Sequence, residues 1–148
     1  MALEDDILDL QSNPIFKLFD VEALRLIAFS SETRLLRRGD TLFREGDVSD
    51  GGYFIVSGAL TLSSEHTEDV HGMNALIGEA ALFVETHRPA TAIALETTTV
   101  RRIPRHLMRR ILAEFPDTAL RLRGHLGAKM VATEQSLAHI QQLLPDGV

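Results

Sequence analysis

The chain has 148 residues, 45% of them apolar, and its 15 Lys+Arg against 21 Asp+Glu give a formal charge of −6, which fits one globular domain with a real hydrophobic core. It contains no Cys, which excludes disulfides, thiolate zinc sites, iron–sulfur clusters and cysteine nucleophiles together. The N-terminus, Met1-Ala2-Leu3-Glu4-Asp5-Asp6, is acidic where a secretory signal is basic, and no apolar run approaches the ~18 residues of a membrane span, so a soluble, cytoplasmic protein without membrane attachment is expected.

The charge is unevenly distributed. Residues 1–100 hold 7 basic and 17 acidic side chains, a net of −10, whereas residues 101–148 hold 8 and 4, a net of +4. Arg101, Arg102, Arg105, Arg109, Arg110, Arg121, Arg123 and Lys129 form either an electropositive surface for a nucleic acid or an acidic partner, or the solvated faces of two helices. The absence of interleaved aromatic residues favours the solvated faces.

In chain order, Asn13 before Pro14 predicts a helix N-cap with proline at the first helical position, and Asp20 before Val21 repeats the start signal. Phe16, Phe19, Leu24, Ile27 and Ala28 then share an apolar face that must be buried. From Glu32 to Ile103 the pattern becomes short apolar runs separated by Gly and Asp, at Gly39-Asp40, Gly46-Asp47, Asp50-Gly51-Gly52 and Gly58. That punctuation predicts many short antiparallel strands in a sandwich or barrel. Tyr53 to Val56 reads as a buried strand and Ala59 to Ser63 as an alternating one. Ala90 to Leu95 and Thr98 to Ile103 are expected to form a hairpin turning at Glu96 and Thr97.

After Pro104 the period returns to helix, with Leu107, Met108, Ile111, Leu112 and Phe115 on one face, Pro116 ending that element and Asp117 capping the next. In the last helix Leu126, Met130, Thr133, Leu137, Ile140 and Leu144 recur at steps of 4, 3, 4, 3 and 4, an a/d seam suited either to a homodimer or to packing on the chain's own barrel. The expected architecture is a single α+β domain over 1–148, with helices at about 2–30, an antiparallel β-barrel or jelly roll at about 32–103 and two helices at about 105–144.

One stretch carries chemistry. Gly78-Glu79-Ala80-Ala81-Leu82 is followed, after a gap, by His87-Arg88-Pro89-Ala90-Thr91. The glycine lets backbone approach a ligand, the residues after it can start a short helical turn with free N–H groups, and an arginine ten residues on can close on an anion with a fork of donors. A carboxylate beside that glycine suits a neutral donor such as a sugar hydroxyl, so the stretch reads as a site for a phosphate attached to a ribose.

These residues resemble the phosphate-binding cassette of cyclic nucleotide-binding domains, as found in the catabolite activator protein family and in regulatory subunits of cyclic AMP dependent kinase. Gly78, Glu79, Ala81, Leu82, Arg88, Ala90 and Thr91 match the cassette, and Gly39, Asp40, Leu42, Phe43, Glu45, Gly46, Tyr53, Ile55 and Gly58 resemble the family's structural glycines and first strands. The resemblance implies that Glu79 accepts from the ribose 2′-OH, that Arg88 pairs with the cyclic phosphate, that the N–H groups of Ala80 and Ala81 complete the anion site, and that Thr133 lies against the adenine.

Two departures stand out. Pro89 occupies the position where the family offers a backbone N–H and often a hydroxyl, and proline offers neither; the lost hydrogen bond is worth ~1.5–3 kcal/mol, roughly 10- to 150-fold in affinity. Cyclic AMP is therefore favoured over cyclic GMP. The polar connection from Ser63 to Asn74 is also shorter than in relatives. The expected function is a non-enzymatic cyclic nucleotide sensor that needs no cofactor and signals through its last helix to a protein partner in trans. With only Pro145 to Val148 after Leu144, no helix-turn-helix follows, so direct DNA binding is not expected. The alternative is a degenerate member in which Glu79 and Arg88 form an internal pair and the fold serves as a dimerisation or scaffold module. An enzyme on a cupin-like barrel is disfavoured, because His66 and His71 are five apart and His87, His106, His125 and His139 are scattered, leaving no three-ligand metal pattern.

Overall fold

The structure is a computed structural model, and it describes residues 2–132. Helices α1 (Ala2–Gln11) and α2 (Val21–Ser30) open the chain, with a 3₁₀ turn at Phe16–Leu18 between them. Eight strands follow: β1 (Glu32–Leu36), β2 (Thr41–Phe43), β3 (Gly51–Ser57), β4 (Leu60–Ser63), β5 (Glu68–His71), β6 (Leu76–Ile77), β7 (Thr91–Ala94) and β8 (Thr98–Pro104). A second 3₁₀ turn, Ala80–Leu82, lies between β6 and β7, and helices α3 (Arg105–Glu114) and α4 (Pro116–Ala132) complete the described chain.

The strands form two four-stranded antiparallel sheets, ordered β1-β8-β3-β6 and β2-β7-β4-β5. This is the α+β jelly roll the sequence pattern pointed to. Leu36, Tyr53, Ile55, Leu60, Ile77, Ala94 and Val100 fill the space between the sheets. Phe54 and Ile103 point out of the first sheet into a larger core built with Phe16, Leu24, Ile27, Met108 and Ile111 of the helical layer. Because side chains alternate along a strand, β3 is buried on both faces, which is why Tyr53 to Val56 reads as an unbroken apolar run.

Several local expectations are corrected. Residues 90–95 and 98–103 do not form a hairpin: β7 pairs with β2 and β4, while β8 pairs with β1 and β3 in the other sheet. Glu96 and Thr97 lack the positive-φ residues that a tight two-residue hairpin turn requires, and the chain instead crosses between sheets there. Thr98 anchors that crossing, its hydroxyl donating to Glu96 O (2.8 Å), with Ala59 O also in reach (3.1 Å), and accepting from Ala59 N–H (3.1 Å).

Asn13 does not cap an α-helix. Its side chain accepts from Ile15 N–H at 2.8 Å and donates to Asn74 O at 3.0 Å, ahead of a single 3₁₀ turn. Asp20 occupies the cap position of α2 without a side-chain capping bond; its carboxylate receives Arg121 instead. Pro116 opens α4, which places Asp117 within its first turn. The polar connection from Ser63 to Asn74 contains β5, paired along β4 from Leu60↔His71 to Ser63↔Glu68.

The arginine surplus is not simply a set of solvated helix faces either. Arg101 and Arg102 lie on β8, and Arg101 and Arg105 are buried. Arg101 donates to Ala28 O and Ser31 Oγ, both at 2.9 Å, and pairs with Asp6 at 3.1 Å, tying β8 to α1 and α2. Of the seam residues, Thr133, Leu137, Ile140 and Leu144 lie outside the described residues, and Leu126 is half-buried on α4.

Candidate functional site

The end of β6 delivers the chain into the segment 78–90. Gly78 has φ +77°, a left-handed conformation that costs an L side chain free energy. A Cβ built on it would lie 2.6 Å from Arg88 Nη1. Glycine at 78 is thus required twice over, by the turn and by the arginine across from it. Glu79 leads into the 3₁₀ turn Ala80–Leu82. Ala80, the first residue of that turn, has one of the N–H groups a helical turn leaves without an internal acceptor. Ala81 N–H, by contrast, donates back to Gly78 O at 3.1 Å.

Arg88 returns along the loop between β2 and β3. Its N–H donates to Asp47 O (2.7 Å), its carbonyl accepts from Gly46 N–H (2.8 Å), and His87 bridges Val48. Only 5% of Arg88 is exposed. The guanidinium lies 4.3 Å from the centre of the Phe43 ring and 5.7 Å from that of Tyr53, within cation–π range. Nη2 donates to Gly51 O at 2.8 Å and stands 4.0 Å from Asp50. Burial lowers the pKa of Arg88, with Tyr53 and Asp50 opposing the shift and Arg105 adding to it; the group remains a cation at any physiological pH.

Asp50 is shared between Arg88 and Arg102. Burial alone would raise its pKa, but the hydrogen bond and charge of Arg102, with the charge of Arg88, hold it below the usual carboxylate range. Phe43, Leu62, Ile77, Gly78, Arg88, Pro89 and Ala90 line a cavity of about 60 Å³. Gly78, Arg88, Pro89 and Ala90 are thereby brought together around one space, with Glu79, Ala80 and Ala81 on the turn beside it. Thr133 lies outside the described residues. Among the described residues no cluster of His, Asp and Glu is arranged to hold a metal ion, and no helix is long and apolar enough to cross a membrane.

A left-handed glycine, the start of a 3₁₀ turn and a buried arginine thus lie side by side in the segment 78–90. The sequence profile of the cyclic nucleotide-binding domain matches residues 33–115, from β1 through the candidate site to the end of α3. The chain belongs to the cyclic nucleotide-binding domain family. A cyclic nucleotide-binding-like protein from Brucella abortus is 41% identical, the match covering 74% of this chain and 98% of that one with a TM-score of 0.65. The transcriptional activator protein Anr of Pseudomonas protegens is 35% identical over 133 residues, covering 86% of this chain and 53% of Anr. Lysophospholipase nte1 of Neurospora crassa is 30% identical over 114 residues, which is 72% of this chain but 7% of that enzyme. This cyclic nucleotide-binding domain therefore spans about half the length of the activator it matches and a small part of the lysophospholipase.

Sequence reasoning missed three contributors. Asp50, read only as a turn residue, sits between two arginines. Ser49 carried no signal at all, and Arg105 was indistinguishable by pattern from the exposed Arg109 four residues later. The run of Asp50, Gly51 and Gly52 was the one available hint, since paired glycines in a strand mark close backbone approach. A Cβ on Gly51 would fall 2.1 Å from Ile103 O.

Proposed function

We propose that this domain is a non-enzymatic cyclic nucleotide sensor, with cyclic AMP as the favoured ligand. The observation that carries the reading is the placement of Arg88 Nη1 directly over the left-handed Gly78, next to the turn that begins at Ala80. Arg88 and the Ala80 N–H supply donors for the cyclic phosphate, and Glu79 supplies an acceptor for the ribose 2′-OH. Ala81 adds its N–H only if the bond to Gly78 O opens. Pro89 offers no donor and no hydroxyl, which favours adenine over guanine. Thr133 and the seam of Leu126, Met130, Thr133, Leu137, Ile140 and Leu144 would place base contact and homodimer contact on one helix face. The ligand acts by binding one arrangement of that helix more tightly than another, and the change is passed to a protein partner in the cytoplasm.

A specific observation favours a second reading, a degenerate domain used as a scaffold. Arg88 already has acceptors in Gly51 O and the Phe43 face, and the cavity of about 60 Å³ is well below the ~300–1,000 Å³ of ordinary ligand pockets. Calorimetric titration with cyclic AMP, cyclic GMP and 5′-AMP, repeated on Arg88→Ala, decides between them. The sensor reading expects saturable cyclic AMP binding that the variant loses. No heat from any nucleotide with a folded wild-type protein assigns the scaffold role.

A further inference from the structure

The first residue of α3 makes contacts that the ligand chemistry of the site does not by itself demand. Arg105 is 9% exposed, and its backbone N–H donates to Asp50 O at 2.7 Å. Its Nε donates to Ala81 O at 2.9 Å, and its Nη2 donates to Ser49 O at 3.0 Å and Ser49 Oγ at 2.9 Å. Ser49 in turn grips the far end of the segment: its N–H donates to Thr86 O at 2.8 Å and its Oγ accepts from Thr86 N–H at 3.0 Å. One guanidinium thus holds the 3₁₀ turn directly and the return of the loop through a single serine.

We propose that Arg105 is a positioning residue for the anion site, setting the turn at Ala80–Leu82 relative to the strand beneath Arg88 and linking both to α3. The inference rests on the reading of segment 78–90 as the anion site. A three-residue 3₁₀ turn has poor internal hydrogen-bond geometry and does not hold its own orientation. The planar fork of an arginine fixes two acceptors relative to each other, which a point-charge lysine does not. A ligand that draws on Ala80 N–H therefore pulls on Ala81 O, and through Arg105 on the first turn of α3. The same cation also adds to the positive potential around Arg88, where its charge is felt.

The test uses Arg105→Met, Arg105→Lys and Ser49→Ala in the full chain, with cyclic AMP titration and amide hydrogen exchange of residues 78–90 in the unliganded protein. Arg105→Met is expected to weaken cyclic AMP about tenfold or more, the equivalent of one charge-assisted hydrogen bond, and to speed exchange in 78–90 beyond the change in global stability. Arg105→Lys is expected to stay weak, because the charge is kept and the fork is lost. Ser49→Ala, which leaves the arginine in place, is expected to weaken binding by a smaller factor and to speed exchange near Thr86; it carries the test if Arg105→Met does not fold. Full rescue by Lys, or unchanged affinity and exchange in Arg105→Met and Ser49→Ala, overturns the proposal. If the wild type binds no nucleotide while exchange in 78–90 still rises in the variants, the sensor reading fails and the hold of Arg105 on the segment stands.

Discussion

Gly78 and Asp50 show how much of the site depends on single side chains, or on the lack of one. Replacing Gly78 with Ala puts a methyl 2.6 Å from Arg88 Nη1 at φ +77°. The left-handed backbone costs about 1–2 kcal/mol, and the guanidinium must also leave Gly51 O. Gly78→Ala is therefore expected to lower the unfolding free energy from urea denaturation by at least that much, with cyclic AMP binding weakened in parallel; an unchanged stability would show that Arg88 does not occupy this position in solution. Asp50 tests the electrostatics. Its pKa is held down by Arg102 and Arg88 against burial, so its stabilisation is present above the unfolded carboxylate value, about pH 4, and is lost as pH falls through the lower folded value. The Asp50 side chain is 61% exposed, so solvent screens the effect and the difference is modest. Wild type should exceed Asp50→Asn in urea midpoint by a constant margin from pH 7 to about 4, the margin shrinking below that. A margin that persisted to the lowest pH would mean that shape, not charge, is what Asn fails to replace.

At the scale of elements, what was legible in the sequence follows what is periodic. The run from Tyr53 to Val56, the alternation before Ser63 and the helical face of Leu107, Met108 and Ile111 each carry a period, and each element stands where it was expected. Pairing partners carry none: adjacency in sequence suggests a hairpin of β7 and β8, whereas the two strands lie in different sheets. The cassette was legible for a different reason: a left-handed turn and a close approach tolerate few residue types, so Gly78 and Arg88 show through a single sequence. Buried arginines do not, since Arg105 and Arg109 differ only in what surrounds them after folding. The sheet crossing itself rests on Thr98, which is fully buried and bonds Ala59 N–H, Ala59 O and Glu96 O. Thr98→Val keeps the shape but leaves Ala59 N–H and Glu96 O without the hydroxyl, while Ala59 O keeps Leu95 N–H at 2.9 Å; the cost is about 1–3 kcal/mol, read as a loss in chemical denaturation. Thr98→Ser, which restores the hydroxyl, should recover most of it. Equal losses in both variants would place the effect in β-branching instead.

For the whole molecule, ligand binding and stability are one equilibrium seen twice. On the sensor reading, the cavity of about 60 Å³ beside Arg88 must widen to admit a nucleotide, and the widening carries a cost. That opening cost is already inside the measured Kd, so it weakens affinity without changing the stabilisation at a fixed multiple of Kd. Cyclic AMP at about 100 times its calorimetric Kd should therefore stabilise the native state by about 2.7 kcal/mol, which for a domain of this size raises Tm by roughly 5–10 °C. The comparison of the two measurements carries more than either alone. A full calorimetric isotherm with no matching Tm shift would place the ligand on unfolded and folded chain alike, which a site that exists only when Gly78 and Arg88 are folded together cannot do. Agreement between them, together with loss of both in Arg88→Ala, ties the nucleotide to the folded jelly roll and to the segment that Arg88 closes.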